Sequence, residues 1–167
     1  PAKTSVSNCL NEADVTAKTC VAGVVGKTQG NVANANNAKN APAIKKCGNT
    51  GTITATDATS GNAGGIAAVI GNYQMFGGVV TDCINVGSVT ASKKAGGVTV
   101  TTNGKRQADG GGNYYLSGCL NGSGDTPIIG AEKTADELME MLKDRTDPVG
   151  KGLYEALKAQ KDQAPAD

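Results

Sequence analysis

Four of the five cysteines fall at near-equal intervals. Cys9, Cys47, Cys83 and Cys119 are separated by 38, 36 and 36 residues. Two residues after each stands an asparagine: Asn11, Asn49, Asn85 and Asn121. Four after comes a small residue (Ala13, Gly51, Gly87, Ser123), and six after comes Val15, Ile53 and Val89, with Asp125 breaking the series. Seven after is always threonine (Thr16, Thr54, Thr90, Thr126), and three before is an apolar residue (Val6, Ile44, Val80, Leu116). A unit this short cannot bury its apolar face alone, so a period of this kind predicts stacking of like on like.

A second element recurs between the cysteine blocks: Ala22-Gly23-Val24-Val25, Ala63-Gly64-Gly65-Ile66 and Ala95-Gly96-Gly97-Val98. It begins 13, 16 and 12 residues after the preceding cysteine, so the strands are fixed while the loops accept insertions. Within a block such as "CGNTGTITA", Ile53 and Ala55 alternate with Thr52 and Thr54 in the period of a strand. The asparagine suits a corner, because Asn tolerates left-handed backbone and bonds its own main chain. Stacked asparagines can also bond from coil to coil. The predicted fold is all-β: a parallel β-solenoid resembling a right-handed β-helix, with one repeat per coil and three short strands in each. Coils should stack about 4.8 Å apart, and right-handed winding follows the handedness of parallel crossovers. Two smaller coils per repeat would satisfy the same pattern. The repeats are placed near 5–42, 43–78 and 79–114, with a terminal coil at 115–130.

Composition agrees with narrow coils. The chain has 24 glycines, no Trp, one Phe and only 3% aromatic residues, which leaves Val, Ile, Ala and Cys to fill a thin core. A formal net charge of +1 gives no electrostatic case for nucleic acid or for a membrane surface. No apolar run is long enough to insert in a membrane. The chain opens on Pro1 with neither Met nor a signal-like segment, as expected of a processed or excised chain. Charge and glycine change together near Gly130. Residues 1–130 hold 10 basic and 6 acidic residues and 22 glycines, whereas residues 131–167 hold 6 basic and 9 acidic residues and 2 glycines. A helical cap or tail is therefore expected over 131–167.

Blocks of the form C-x-N-x-G-x-[IV]-T, alternating with A-G-G-[IV], resemble the GLUG-type repeats of bacterial secreted and surface-anchored proteins. The closing "NYYLSGCLNGSG" and "GAEKTADELMEML" look like the way such arrays end. The resemblance covers about residues 5–142. Two departures are the replacement of Gly-Gly by Gly23-Val24 in the first repeat and the polar insertion Asn31–Asn40. The resemblance implies an extracellular or cell-surface bacterial array within a longer polypeptide, without catalytic residues to carry over. It implies neighbouring domains, and a glycan or a host or cell-surface protein, as partners.

The residues themselves offer little chemistry. With no His and no C-x-x-C, the cysteines predict no metal site and no cofactor. They read instead as an inward ladder of small apolar thiols, Cys9, Cys47, Cys83 and Cys119, beside the ladder Asn11, Asn49, Asn85 and Asn121. Whether any thiols are bonded is open, and Cys20, outside the ladder, is expected to be the exposed one. The absence of His removes the commonest general base. The acids of the array (Glu12, Asp14, Asp57, Asp82, Asp109, Asp125) do not recur at one coil position, so no catalytic carboxylate pair is assembled. Tyr73, Tyr114 and Tyr115 are the candidates for stacking on a sugar ring, while Tyr114 and Tyr115 could equally cover the last coil. The pairs Lys45-Lys46, Lys93-Lys94 and Lys105-Arg106 could form a weak basic strip or simply discourage edge association.

In the tail, Thr134 and Glu137 form a capping box before the stripe Leu138, Met141 and Leu142. Asp147-Pro148 starts a second helix with Val149, Leu153, Tyr154 and Leu157 on its apolar side. The expectation is that both helices pack over the final coil and block end-to-end growth, with fraying past Gln160. The functional expectation is a non-catalytic structural or adhesive module. The alternatives are a carbohydrate-binding module on one flank and a polysaccharide-cleaving β-helix enzyme.

Overall fold

The computed structural model describes residues 4–28, 43–70, 78–101, 108–109, 111–121 and 128–164. The chain is a parallel β-solenoid followed by two helices. The first coil carries β1 (Ser5–Ser7), β2 (Leu10–Asn11), β3 (Val15–Ala17), β4 (Val21–Ala22) and β5 (Val25–Thr28). The second carries β6 (Ala43–Lys45), β7 (Gly48–Asn49), β8 (Ile53–Ala55), β9 (Asn62–Gly64) and β10 (Ala67–Ile70). The third carries β11 (Val79–Thr81), β12 (Ile84–Asn85), β13 (Val89–Ala91), β14 (Lys94–Gly96) and β15 (Thr99–Thr101). Then come β16 (Ala108–Asp109), β17 (Tyr114–Leu116), β18 (Leu120–Asn121), β19 (Ile128–Ile129) and β20 (Ala131–Lys133).

Five strands, rather than the three expected, make up each of the first three coils. The difference lies at the corners. Asn8, Lys46 and Asp82 all adopt left-handed φ, at 57°, 52° and 54°, and divide β1 from β2, β6 from β7 and β11 from β12, one of the added breaks. Gly112 takes the same corner in the fourth coil at φ 71°.

Five sheets result, in the orders β1-β6-β11-β16, β2-β7-β12-β17-β20, β3-β8-β13-β18, β4-β9-β14 and β5-β10-β15-β19. Register is in step across the first three coils: Val6, Ile44 and Val80 stand over one another, as do Val15, Ile53 and Val89, and Thr16, Thr54 and Thr90. Among the described residues every strand pair is parallel except β15 with β19. The second motif is in register one residue away from its apparent alignment. Ala22 pairs with Gly64 and Gly23 bonds Gly65, so Ala22-Gly23 occupies the Gly-Gly place and the first repeat keeps its second glycine.

The interior is one coil with two lobes. Ile44, Cys47, Ile66, Ala67, Val80, Cys83, Val98 and Tyr115 form one buried cluster, and Val21, Ile53, Ala55, Ala63, Val89, Ala91 and Ala95 form the other. Between them the asparagine ladder reaches across to the glycines of the opposite wall. A Cβ at Gly65 would overlap Asn85 Cγ, and one at Gly23 would overlap Asn49 Oδ1. The two repeated motifs therefore meet inside the coil, each glycine receiving the asparagine of the next coil. That contact selects one pinched coil over two separate small ones.

The helices α1 (Ala135–Leu142) and α2 (Pro148–Gln163) start as the sequence predicts. Thr134 and Glu137 exchange the capping-box bonds, with Glu137 N donating to Thr134 Oγ1 at 3.2 Å and Thr134 N to Glu137 Oε2 at 2.8 Å. Asp147 accepts from Gly150 N at 2.9 Å, with Pro148 behind it.

Their location differs from the expectation. They lie on the outer flank of the sheet β2-β7-β12-β17-β20 and not over the final coil. Leu138, Leu142, Val149, Leu153 and Leu157 are buried with Ile84 and Val86, and Leu10, Tyr114 and Leu116 pack against them. Gln160 Nε2 reaches Val86 O at 3.3 Å. The reason lies in the outward position after Cys9, Cys47, Cys83 and Asn113, filled by Leu10, Gly48, Ile84 and Tyr114. These residues make an apolar strip with a notch at Gly48. A Cβ there would stand 2.9 Å from Val149 Cγ1 and 3.1 Å from Leu153 Cδ1. Met141, expected in the apolar stripe, is exposed, and Met139 packs inward in its place. α2 remains helical to Gln163, past the expected fraying point.

Candidate functional site

The strongest constellation is the interior pair of ladders. Asn11 Nδ2 donates to Asn49 Oδ1 and Asn49 Nδ2 to Asn85 Oδ1, both at 2.7 Å. Each amide also holds its own corner: Nδ2 of Asn11, Asn49 and Asn85 donates to the carbonyl two residues on, at Ala13, Gly51 and Gly87. Burying an amide without partners costs about 1–3 kcal/mol per orphaned group, and the ladder removes that cost coil by coil. The amide groups of Asn49 and Asn85, inside the stack, are partnered at both oxygen and nitrogen. Among the described residues the one buried side-chain N or O atom without a partner is Asn62 Oδ1, on β9.

The thiols form a second file. Cys47 and Cys83 are buried and donate to the carbonyls of Lys45 and Thr81, both at 3.3 Å. The neighbouring Cys47 side chain, reinforced by burial, holds the Cys83 thiol protonated well above its usual range. Cys9 is exposed, whereas Cys20, expected to be the exposed thiol, is half-buried at a left-handed corner. The five cysteines are unbonded.

The ladders do not include their fourth members. Ile84 pairs with Tyr114 and Asn85 with Tyr115, so Asn113 occupies the cysteine place, 30 residues after Cys83. Cys119 is displaced to the next corner, beside β18, where Asn121 pairs with Thr90 and not with Asn85. Asn113 fits its place because its buried amide is fully used: Oδ1 accepts from Cys83 N at 3.1 Å and Nδ2 donates to Val80 O at 2.9 Å. Cys119 is nonetheless buried, and burial, with the Glu132 charge second, pushes its thiol up to about 11.

Among the described residues, Tyr114 and Tyr115 form no exposed flank. Tyr115 is buried in the first interior lobe, its ring against the backbone of Gly97, where a Cβ would overlap Tyr115 Cγ. Tyr114 is half-buried against the helices. Tyr73 lies outside the described residues.

Among the described residues the lysine pairs form no strip: Lys45 ends β6 while Lys94 begins β14, on different sheets; Lys105-Arg106 lies outside the described residues. The acids are taken up locally. Asp14 Oδ1 accepts from Thr52 N at 2.6 Å. Asp57 Oδ1 accepts from the backbone and hydroxyl groups of Ser60 and Thr59, which lower its carboxyl to about 2. Asp109 and Asp125 carry no described side chain.

Among the described residues no three Cys, Asp or Glu side chains are grouped to hold a metal ion, and no helix is long and apolar enough to cross a membrane. Missed by sequence reasoning were Asn113, the left-handed corner file Asn8, Lys46, Asp82 and Gly112, and the seating of asparagine on glycine. The corner file was legible in principle, since Asn, Asp and Gly are the residues that favour that backbone. Comparison of the chain with protein-family models, curated proteins and solved structures finds no match.

Proposed function

We propose that the chain is a non-catalytic structural repeat module of a bacterial secreted or cell-surface protein, serving as a stiff spacer or adhesive scaffold. One observation carries this reading. The repeated residues of the inner coils (cysteine, asparagine, glycine and Val or Ile) are directed into the coil or its corners and are used up in holding one coil to the next. Chemistry that must meet a substrate has to face solvent, and here repetition serves packing. The described acids support the same view, since Asp14 and Asp57 are engaged at separate turns. The C-x-N-x-G-x-[IV]-T and A-G-G-[IV] pattern, in its resemblance to GLUG-type arrays, supports the bacterial and extracellular part of the proposal.

Two measurements test it. The purified chain, incubated with panels of neutral and acidic polysaccharides, should generate neither reducing nor unsaturated ends. Sustained release of either would replace the scaffold with an enzyme. Fractionation of producing cells should recover the protein at the surface or in the medium, and recovery confined to the cytosol would overturn the location.

A further inference from the structure

The first coil differs from the next two in a systematic way. Cys9 is exposed where Cys47 and Cys83 are buried. Asn11, Val6 and Val15 are half-buried where Asn49, Ile44 and Ile53 are enclosed. β1 to β5 all lie at the ends of their sheets, so among the described residues one face of the solenoid presents strand edges together with part of its apolar interior. Proteins ordinarily cover such an edge, because it is a template for pairing.

The edge also specifies its occupant. The amide ladder has a direction: every Nδ2 donates onward to the next coil's Oδ1, and no described residue donates to Asn11 Oδ1. The backbone repeats the message. Gly48 N, Ile84 N and Tyr114 N donate to the carbonyls of Cys9, Cys47 and Cys83, so in the same register Leu10 N faces the open side. Thr50 N and Val86 N donate to Asn11 O and Asn49 O, which places Glu12 N there as well. Asn49 and Asn85 each seat on a glycine of the coil before, Gly23 and Gly65, and the first coil has no described coil before it to supply that seat.

We propose that this face is the seat of one further coil of the same pattern, contributed in cis by polypeptide ahead of Ser5. That coil would place an asparagine amide on Asn11 Oδ1, a glycine under the Asn11 side chain and a carbonyl opposite Leu10 N. The coil-to-coil interface inside the chain is simply continued. A second copy cannot supply it head to tail, because at its far end β20 closes that sheet over Tyr115 and no asparagine amide is presented there. Supply in cis also gives the coil a high effective concentration. The inference rests on coil register and not on the scaffold reading: polysaccharide turnover would end that reading and leave this one standing.

The test adds the missing neighbour. Residues 43–78 are duplicated directly before Ser5, so that Gly78 leads into Ser5 as it leads into Val79. Cys9 then occupies the position of Cys47, and its alkylation by iodoacetamide, read by peptide mass spectrometry, should slow by at least about tenfold through lost access. Hydrogen exchange at Leu10 and Glu12 should slow with it, and Asn→Ala at the duplicated Asn49 should return most of both effects. Unchanged Cys9 reactivity, with the exchange of β8 and β13 as in the parent, overturns the proposal. If the longer chain misfolds, hydrogen exchange is read in the parent chain, where Leu10 N and Glu12 N should exchange faster than Gly48 N and Thr50 N, and equal protection overturns the proposal. Reversible dimerisation of the parent chain that itself buries Cys9 would assign the face to a second copy instead.

Discussion

The chain has two cores of opposite construction. Inside the coils the buried residues are Val, Ile, Ala and Cys around an amide file, while outside them Leu138, Leu142, Leu153 and Leu157 are all sealed between the helices and one sheet flank. The inner core is limited by shape: opposite walls approach so closely that glycine backbone touches asparagine, and the one large ring, Tyr115, enters where it replaces that asparagine against Gly97. The outer core is limited by supply, since two short helices with single apolar stripes cannot fold without a partner surface. The first should tolerate almost no change of outline. The second should respond in proportion to the volume removed.

Gly65→Ala is expected to be the most damaging change, costing more than about 4 kcal/mol, because its Cβ would overlap the Gly97 carbonyl as well as Asn85. Gly152→Ala is the matched change in the outer core, and its Cβ meets chiefly the mobile Leu10 Cδ2. It should stay within about 1 kcal/mol of the parent, since Ala is the better helix former. Urea denaturation of the pair gives both numbers, and equal losses would abolish the distinction drawn here.

Asn49→Ala comes next. It deprives the Asn11 amide, Asn85 Oδ1 and Gly51 O of a partner inside a closed coil. The Asn11 amide keeps Ala13 O and Asn85 Oδ1 keeps Gly87 N, so at about 1–3 kcal/mol per orphaned group a loss of roughly 2–3 kcal/mol is expected, with exchange rising throughout the coils.

Leu153→Ala should cost about 2–5 kcal/mol but release only the tail. Native-state exchange should show α1 and α2 opening while β8 and β13 stay protected. Simultaneous opening of both regions would mean that the cores are one cooperative unit.

The smallest effect is on pH. Glu137 is lowered from 4.5 chiefly by the Thr134 N–H, and Asp147 from 3.8 chiefly by Arg145. Carboxyls depressed in the folded state stabilise it above their unfolded values and lose that contribution as pH falls through the folded ones. The helices should therefore weaken below about pH 4.5. Thr134→Ala, costing about 1 kcal/mol, should reproduce part of that loss at neutral pH in helical circular dichroism.

Sequence made the first three coils legible because Cys-x-Asn reports a place where a thiol and an amide are each dictated by the coil beside them. The same reasoning misplaced the last coil. Cys119-x-Asn121 repeats the letters, yet Gly112-Asn113-Tyr114-Tyr115 holds the position. A corner glycine, an amide that satisfies Cys83 and a tyrosine broad enough to replace asparagine match the surroundings instead of the spelling. Helix starts were legible because capping is local. Helix location was not, because Gly48 becomes a notch only when Leu10 and Ile84 are known to flank it.

The directed amide file has a consequence for how such a chain can change length over generations. Copying one whole coil joins donor to acceptor at both seams and leaves every neighbour as it was, so gain or loss in whole units is nearly silent. A shortfall of a few residues behaves differently. The 30-residue step from Cys83 to Asn113, against 36 from Cys47 to Cys83, is enough to put a phenol ring where the next amide belonged. In that sense the last coil works as a stop codon written in loop length.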